Sequence, residues 1–187
     1  MTTLNNSQVK QAWDTVCKNC GTRVVQKNEA SLMVFVSKLT PIIGMPSEDF
    51  LANFATTIGQ RIYVPFKPGV PFNQWALVEQ CVLLAHEHKH VRQWRESPIK
   101  YPSLYLTSPE YRGNIETNAY SVGAEVLGEL ARNQLTTVPN DYAASVANLI
   151  HTAYKCPVPN TATSQIDASL HAVSSVDAKM VVDALGL

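Results

Sequence analysis

Apolar residues recur at helical spacing along most of this chain. Val9, Trp13, Val16 and Cys17 form one stripe on a segment from Ser7 to about Asn19, with Ser7 expected as N-cap and Gly21 as the stop. A second helix is expected from about Asn28 to Leu39, ending near Pro41, although Leu32 to Val36 is apolar enough to read as a strand. Past Pro46-Ser47-Glu48 the character changes. Phe50 to Pro65 is rich in β-branched and aromatic residues and is interrupted near Ile58-Gly59-Gln60. It reads as a hairpin whose second strand is Arg61-Ile62-Tyr63-Val64. Pro65, Pro68 and Pro71 then make a loop that cannot pair inside a sheet.

Helical spacing returns from about Asn73 to Glu96 and is broken by Ser97-Pro98 and Tyr101-Pro102. A loop with room for one short helix leads to Ser108-Pro109. There the serine caps, and the proline occupies the first turn of a helix reaching about Asn133. A further helix is expected from Asp141 to Lys155, then a linker-like loop from Pro157 to Thr163. Ser164 opens a last helical region that ends at Gly186 and is interrupted near Ser174-Ser175. Helices with one small strand group predict an α+β fold, mostly helical, with a hairpin ahead of the 73–96 helix.

Composition narrows this further. A chain of 187 residues with 45% hydrophobic content is the size of one domain with a real core. Fifteen basic residues balance fifteen acidic ones, so no basic field points to nucleic acid or an anionic membrane. The N-terminus lacks the charged-then-apolar order of an export signal, and runs such as Leu32 to Val36 and Val82 to Ala85 are too short to cross a bilayer. A soluble, unexported protein is the expectation. Cys17, Cys20, Cys81 and Cys156 then read as reduced thiols. Cys17-x-x-Cys20 matches half of a zinc knuckle or a redox pair, but no second pair follows at finger spacing and no thioredoxin-like βαβ pattern surrounds it. It reads as ordinary thiols near a helix end.

The 73–96 helix carries the candidate chemistry, His86-Glu87-His88-Lys89-His90. At about 100° per residue, His86 and His90 share a face one turn apart, where two imidazoles can take two sites of a tetrahedral zinc. Glu87 flanks that face. Leu77, Cys81, Leu84, His88 and Val91 lie opposite, and Lys89 with Arg92 forms a narrow polar stripe, so His88 reads as a hydrogen-bonded core or boundary histidine. One protein ligand is still wanting. Glu116, beyond a gap long enough for a turn and an antiparallel return, projects together with Tyr120 from the next strong helix. Glu125 and Glu129 are rivals, but lie about 180° and about 140° around that helix from Glu116.

Together Ile62-Tyr63-Val64-Pro65, Leu84-Ala85-His86-Glu87-His88-Lys89-His90-Val91-Arg92-Gln93-Trp94 and Glu116-x-x-Ala119-Tyr120 resemble the zincin metallopeptidases. The likeness is to the glutamate-ligand branch, the gluzincins, and to small metallopeptidases of bacteria and their phages. It covers roughly residues 50 to 130 of what reads as a single domain, with helical extensions on either side. The resemblance implies that His86, His90 and Glu116 hold Zn2+, that Glu87 is the catalytic base, and that the strand before the motif helix is the substrate-binding edge. The position two after Glu116, often acidic in such proteins, is Asn118. Residue 88, often aliphatic, is a histidine, which leaves a second metal register open.

The expected reaction is hydrolysis of a peptide amide by metal-activated water, with Glu87 moving the proton. Tyr120, Tyr111, Arg112 and His151 are candidates to stabilise the oxyanion, and Tyr120 is equally a contact to a ligand histidine. Peptidoglycan crosslinks are an alternative substrate. A different class of reading is a structural or virion-associated module in which the metal only staples the fold. The expected location is the cytoplasm or a virion, and the expected partner is a peptide or protein substrate.

Overall fold

The computed structural model describes residues 3–38 and 47–187, and the expected end of the second helix near Leu39–Pro41 lies outside them. Helix α1 (Asn6–Cys20) opens at Asn5, not at Ser7. Asn5 Oδ1 accepts from the Gln8 amide at 2.9 Å while Gln8 Oε1 accepts from the Asn5 amide at 3.1 Å. That reciprocal pair satisfies two N–H groups a helix start leaves open, which a cap at Ser7 would not. The helix stops at Gly21, whose φ of 61° is left-handed.

Strand β1 (Arg23–Gln26) is an element the apolar pattern does not announce. It leads through a 3-10 turn (Lys27–Glu29) into α2 (Ser31–Ser37), which is helical where a strand was an alternative. Helix α3 (Ser47–Asn53) takes the start of the expected hairpin. Only β2 (Thr56–Ile58) and β3 (Arg61–Val64) form it, paired antiparallel around Gly59. Phe50 lies half-buried in this helix, with the Lys27 ammonium 3.4 Å over its ring and donating to its carbonyl. β1 pairs parallel with β3, so the sheet order is β1-β3-β2; β3, the strand before the motif helix, is paired on both sides and is not the edge the resemblance implies.

Helix α4 (Leu77–Glu96) begins four residues later than Asn73, because Asn73 sits at a φ of 49° in a turn closed by Phe72 and Trp75. Buried Gln80 ties the proline-rich loop to this start, accepting from Gly69 N and donating to the carbonyls of Val70 and Trp75. From Gln80 to Gln93 only Val82, Lys89 and Arg92 reach solvent, which is the narrow stripe expected of Lys89 and Arg92 widened by Val82 from the histidine face. Short α5 (Lys100–Thr107) fills the loop. α6 (Pro109–Arg132) follows with Ser108 accepting from Tyr111 N as its cap and Pro109 in its first turn, as expected. Then come α7 (Tyr142–Ala153), α8 (Ala162–Ser169) and α9 (Val176–Leu185), so the fold is α+β and mostly helical.

α4 and α6 pack along each other in opposite directions. Gln93 Nε2 reaches Ile115 O, while Gly123 faces Val82 and His86. A Cβ at Gly123 would lie 3.0 Å from Val82 Cγ1 and 3.3 Å from Val82 O, so the absent side chain is what lets the helices approach this closely. One apolar cluster joins α1, the sheet, α4 and α9 around Trp13, Ile62, Leu84 and Val181. A second joins α6 to α7 and α8 around Ile150 and Ile166. Among the described residues no helix is long and apolar enough to cross a membrane.

Candidate metal centre

The α4–α6 seam brings His86, His90 and Glu116 together. Among the described residues they are the one group of metal-ligating side chains whose donor atoms all lie within 4.8 Å of one another. His86 Nε2 is 3.1 Å from His90 Nε2. Glu116 Oε2 is 3.7 Å from the first, and its Oε1 is 3.5 Å from the second. Bonds of about 2.0–2.1 Å to a tetrahedral zinc give ligand-to-ligand edges of about 3.3–3.4 Å, and the three separations here, the last two to different oxygens of Glu116, bracket that size. Glu116 Oε2 is buried with no hydrogen-bond partner, a costly arrangement that a cation would relieve.

The imidazoles are oriented from behind. His90 Nδ1 lies 2.9 Å from Gln93 Oε1, and Gln93 Nε2 is engaged by Ile115 O. The Gln93 oxygen therefore accepts, and His90 carries its proton on Nδ1 with Nε2 turned to the centre. The Tyr101 hydroxyl shares that Nδ1 at 3.2 Å.

Charge follows the same geometry. Burial, with His90 alongside, pulls His86 well below its ordinary value and keeps it neutral. At His90 burial acts downward too, but Glu116 outweighs it and the imidazole is raised. Burial alone would push Glu116 up, and His90 brings it down to a carboxylate. A proton taken up by the pair therefore goes to His90 before His86. Metal binding displaces such a proton.

Glu87 stands beside this group, its Oε1 4.0 Å from His86 Nε2 and its Oε2 accepting from Thr57 Oγ1 at 2.6 Å. Burial raises its carboxyl, while His90, the Thr57 bond and Lys27 pull the other way. Lys27 is itself buried, and burial lowers it to about 7. Its Nζ has three acceptors, Phe50 O, Phe54 O and Thr56 Oγ1, one for each ammonium proton.

Tyr120 rests its ring on His86, with centroids 4.4 Å apart, and its hydroxyl pairs with Tyr154 at 3.3 Å. Two other oxyanion candidates are engaged elsewhere. Arg112 donates to the carbonyls of Tyr154 and Tyr105, and His151 faces Cys156 O. His88 points away from the centre, to Leu84 O and Thr22 Oγ1, which closes the second metal register. Glu125 turns to Ser174 and Ser175, and Glu129 to Arg132 and Asn133, so neither rival reaches the imidazoles. The cysteines are free, and burial raises both Cys17 and Cys20.

Sequence reasoning missed Thr57, Gln93, Tyr101 and Tyr105. Tyr101 and Tyr105 share a face of α5 at i, i+4 spacing between the two ligand helices, and Gln93 follows His90 at i+3. Both were readable signals. Thr57 had none. No family model matches the chain, and no curated protein or solved structure is significantly similar to it. The likeness to gluzincins therefore rests on the motif residues alone.

Proposed function

We propose that this chain is a zinc-dependent peptidase in which His86, His90 and Glu116 hold the ion and Glu87 is the general base. The observation that carries this reading is the convergence of two imidazole nitrogens, 3.1 Å apart, on the Glu116 carboxylate, whose two oxygens lie 3.7 and 3.5 Å from them, with Oε1 of Glu87 alongside. Two imidazoles and one carboxylate are a hydrolytic zinc donor set with a coordination position left over. Bound there, zinc lowers the pKa of its water to about 7 and polarises a carbonyl.

The chain's own residues do the rest. Thr57 occupies Glu87 Oε2, so Oε1 is the atom left to take the proton from the attacking water. The oxygen of that water forms the new bond to the amide carbon. As the C–N bond breaks, Glu87 returns the proton to the leaving amine. Lys27 beside Thr56 adds positive charge that favours ionised Glu87.

A second reading, a zinc that only staples α4 to α6, is favoured by burial. His86, Glu87, His90 and Glu116 are 5%, 3%, 6% and 1% exposed. The two readings separate on Glu87→Gln. In the peptidase this variant keeps its zinc and loses about 10²–10⁴-fold in turnover of a casein-type substrate. In a staple the unaltered protein cleaves nothing, with or without chelator.

A further inference from the structure

The two carboxylate oxygens of Glu116 are treated differently. Oε1 accepts from the Tyr105 hydroxyl at 2.5 Å, whereas Oε2 is buried without a partner. Tyr105 comes from α5, outside both ligand helices. It is fixed in turn by Arg112, whose Nη1 donates to the Tyr105 carbonyl at 2.7 Å, and by its ring stacked on Tyr101 at 5.7 Å.

We infer that Tyr105 is a positioning residue that decides how Glu116 binds the metal: its hydroxyl occupies Oε1, so the carboxylate ligates through Oε2 alone. This rests on the metal reading above. A carboxylate can hold zinc with one oxygen or two, and one oxygen leaves a four-coordinate ion its solvent position. Here both oxygens lie near the imidazoles, at 3.5 and 3.7 Å, so distance alone would permit either mode. The short bond to a neutral hydroxyl makes the difference. It is charge-assisted, and engaging Oε1 with the metal would mean weakening it.

The test loads cobalt(II) into the full chain and reads coordination by visible absorption and by X-ray absorption at the metal edge. The unaltered protein is expected to give the intense d–d bands of a four-coordinate ion. Tyr105→Phe, which keeps the ring and removes the hydroxyl, frees Oε1 to bind. Its bands should weaken several-fold, with one more oxygen around the metal. Thr107→Ala, which removes an exposed hydroxyl from the same helix, should keep the four-coordinate spectrum. The inference is overturned if Tyr105→Phe gives the unaltered spectrum, if Thr107→Ala shifts it equally, or if Tyr105→Phe binds no cobalt at all. Absence of cobalt binding by the unaltered protein would sink the metal reading itself, a result distinguishable because it precedes any substitution.

Discussion

Replacing Glu125 with alanine removes a carboxylate that holds the start of α9. Its oxygens accept from Ser174 N at 3.0 Å, Ser174 Oγ at 2.9 Å, and Ser175 N and Oγ, each at 2.8 Å. The anion therefore sits at the first turn of α9, where unpaired N–H groups and the helix dipole favour negative charge. Through α9 it also supports Asp177, which pairs with Arg92 of α4 at 2.8 Å. Hydrogen bonds to a charged acceptor contribute about 1.5–3 kcal/mol each, and a buried donor left unsatisfied costs about 1–3 kcal/mol. Ser174 is exposed and can rehydrate, so the loss falls on Ser175 and the expectation is about 3 kcal/mol. An unfolding entropy of about 2.1 cal/mol/K per residue gives about 0.4 kcal/mol/K for 187 residues, so the melting temperature should fall by about 8 °C. Scanning calorimetry measures that fall, and metal analysis of the same sample should show zinc content unchanged. A fall under about 2 °C would refute the cap, and loss of zinc would mean that Glu125 serves the metal after all.

Three further outcomes follow from the same geometry. Gly123→Leu should cost about 1–3 kcal/mol by overpacking against Val82 and should weaken zinc binding at least about tenfold, because it pushes Glu116's helix off the histidines. Chelator competition reads that affinity, and an unchanged value would show that the seam does not set it. His88→Leu should lose about 1–3 kcal/mol, since Thr22 Oγ1 and Leu84 O forfeit their partner, while zinc stoichiometry stays the same. A drop in zinc content in that variant would reopen the second register. Free zinc at a thousand times its dissociation constant should stabilise the fold by about 4 kcal/mol, or about 10 °C in melting temperature. A melting temperature indifferent to chelator would contradict a site formed only in the folded chain.

The legible part of this protein was the part written in short-range spacing. His86 and His90 share a face because of helix pitch alone. Ser108-Pro109 marks a helix start by cap chemistry, and Glu116 was separable from Glu125 and Glu129 by angle around one helix. What escaped depends on contacts distant in sequence. β1 is four residues long and exists because β3 lies beside it in parallel. Phe50 meets a lysine from another segment, Lys27, which sits over its ring. Thr57 meets Glu87 because the hairpin edge runs past α4, and nothing in Thr56-Thr57-Ile58 announces that. Tyr101 was read through the proline beside it as a helix breaker. In the fold, Pro102 sits in the first turn of α5, where a missing N–H costs nothing.

Elemental analysis of the purified chain tests the central claim most directly, made on the unaltered protein, His86→Ala and Glu116→Ala after growth with zinc. One zinc per chain is expected in the first, and near none in the two variants. No stoichiometric metal in the unaltered protein, or full occupancy in either variant, would contradict the reading that these side chains build a metal centre.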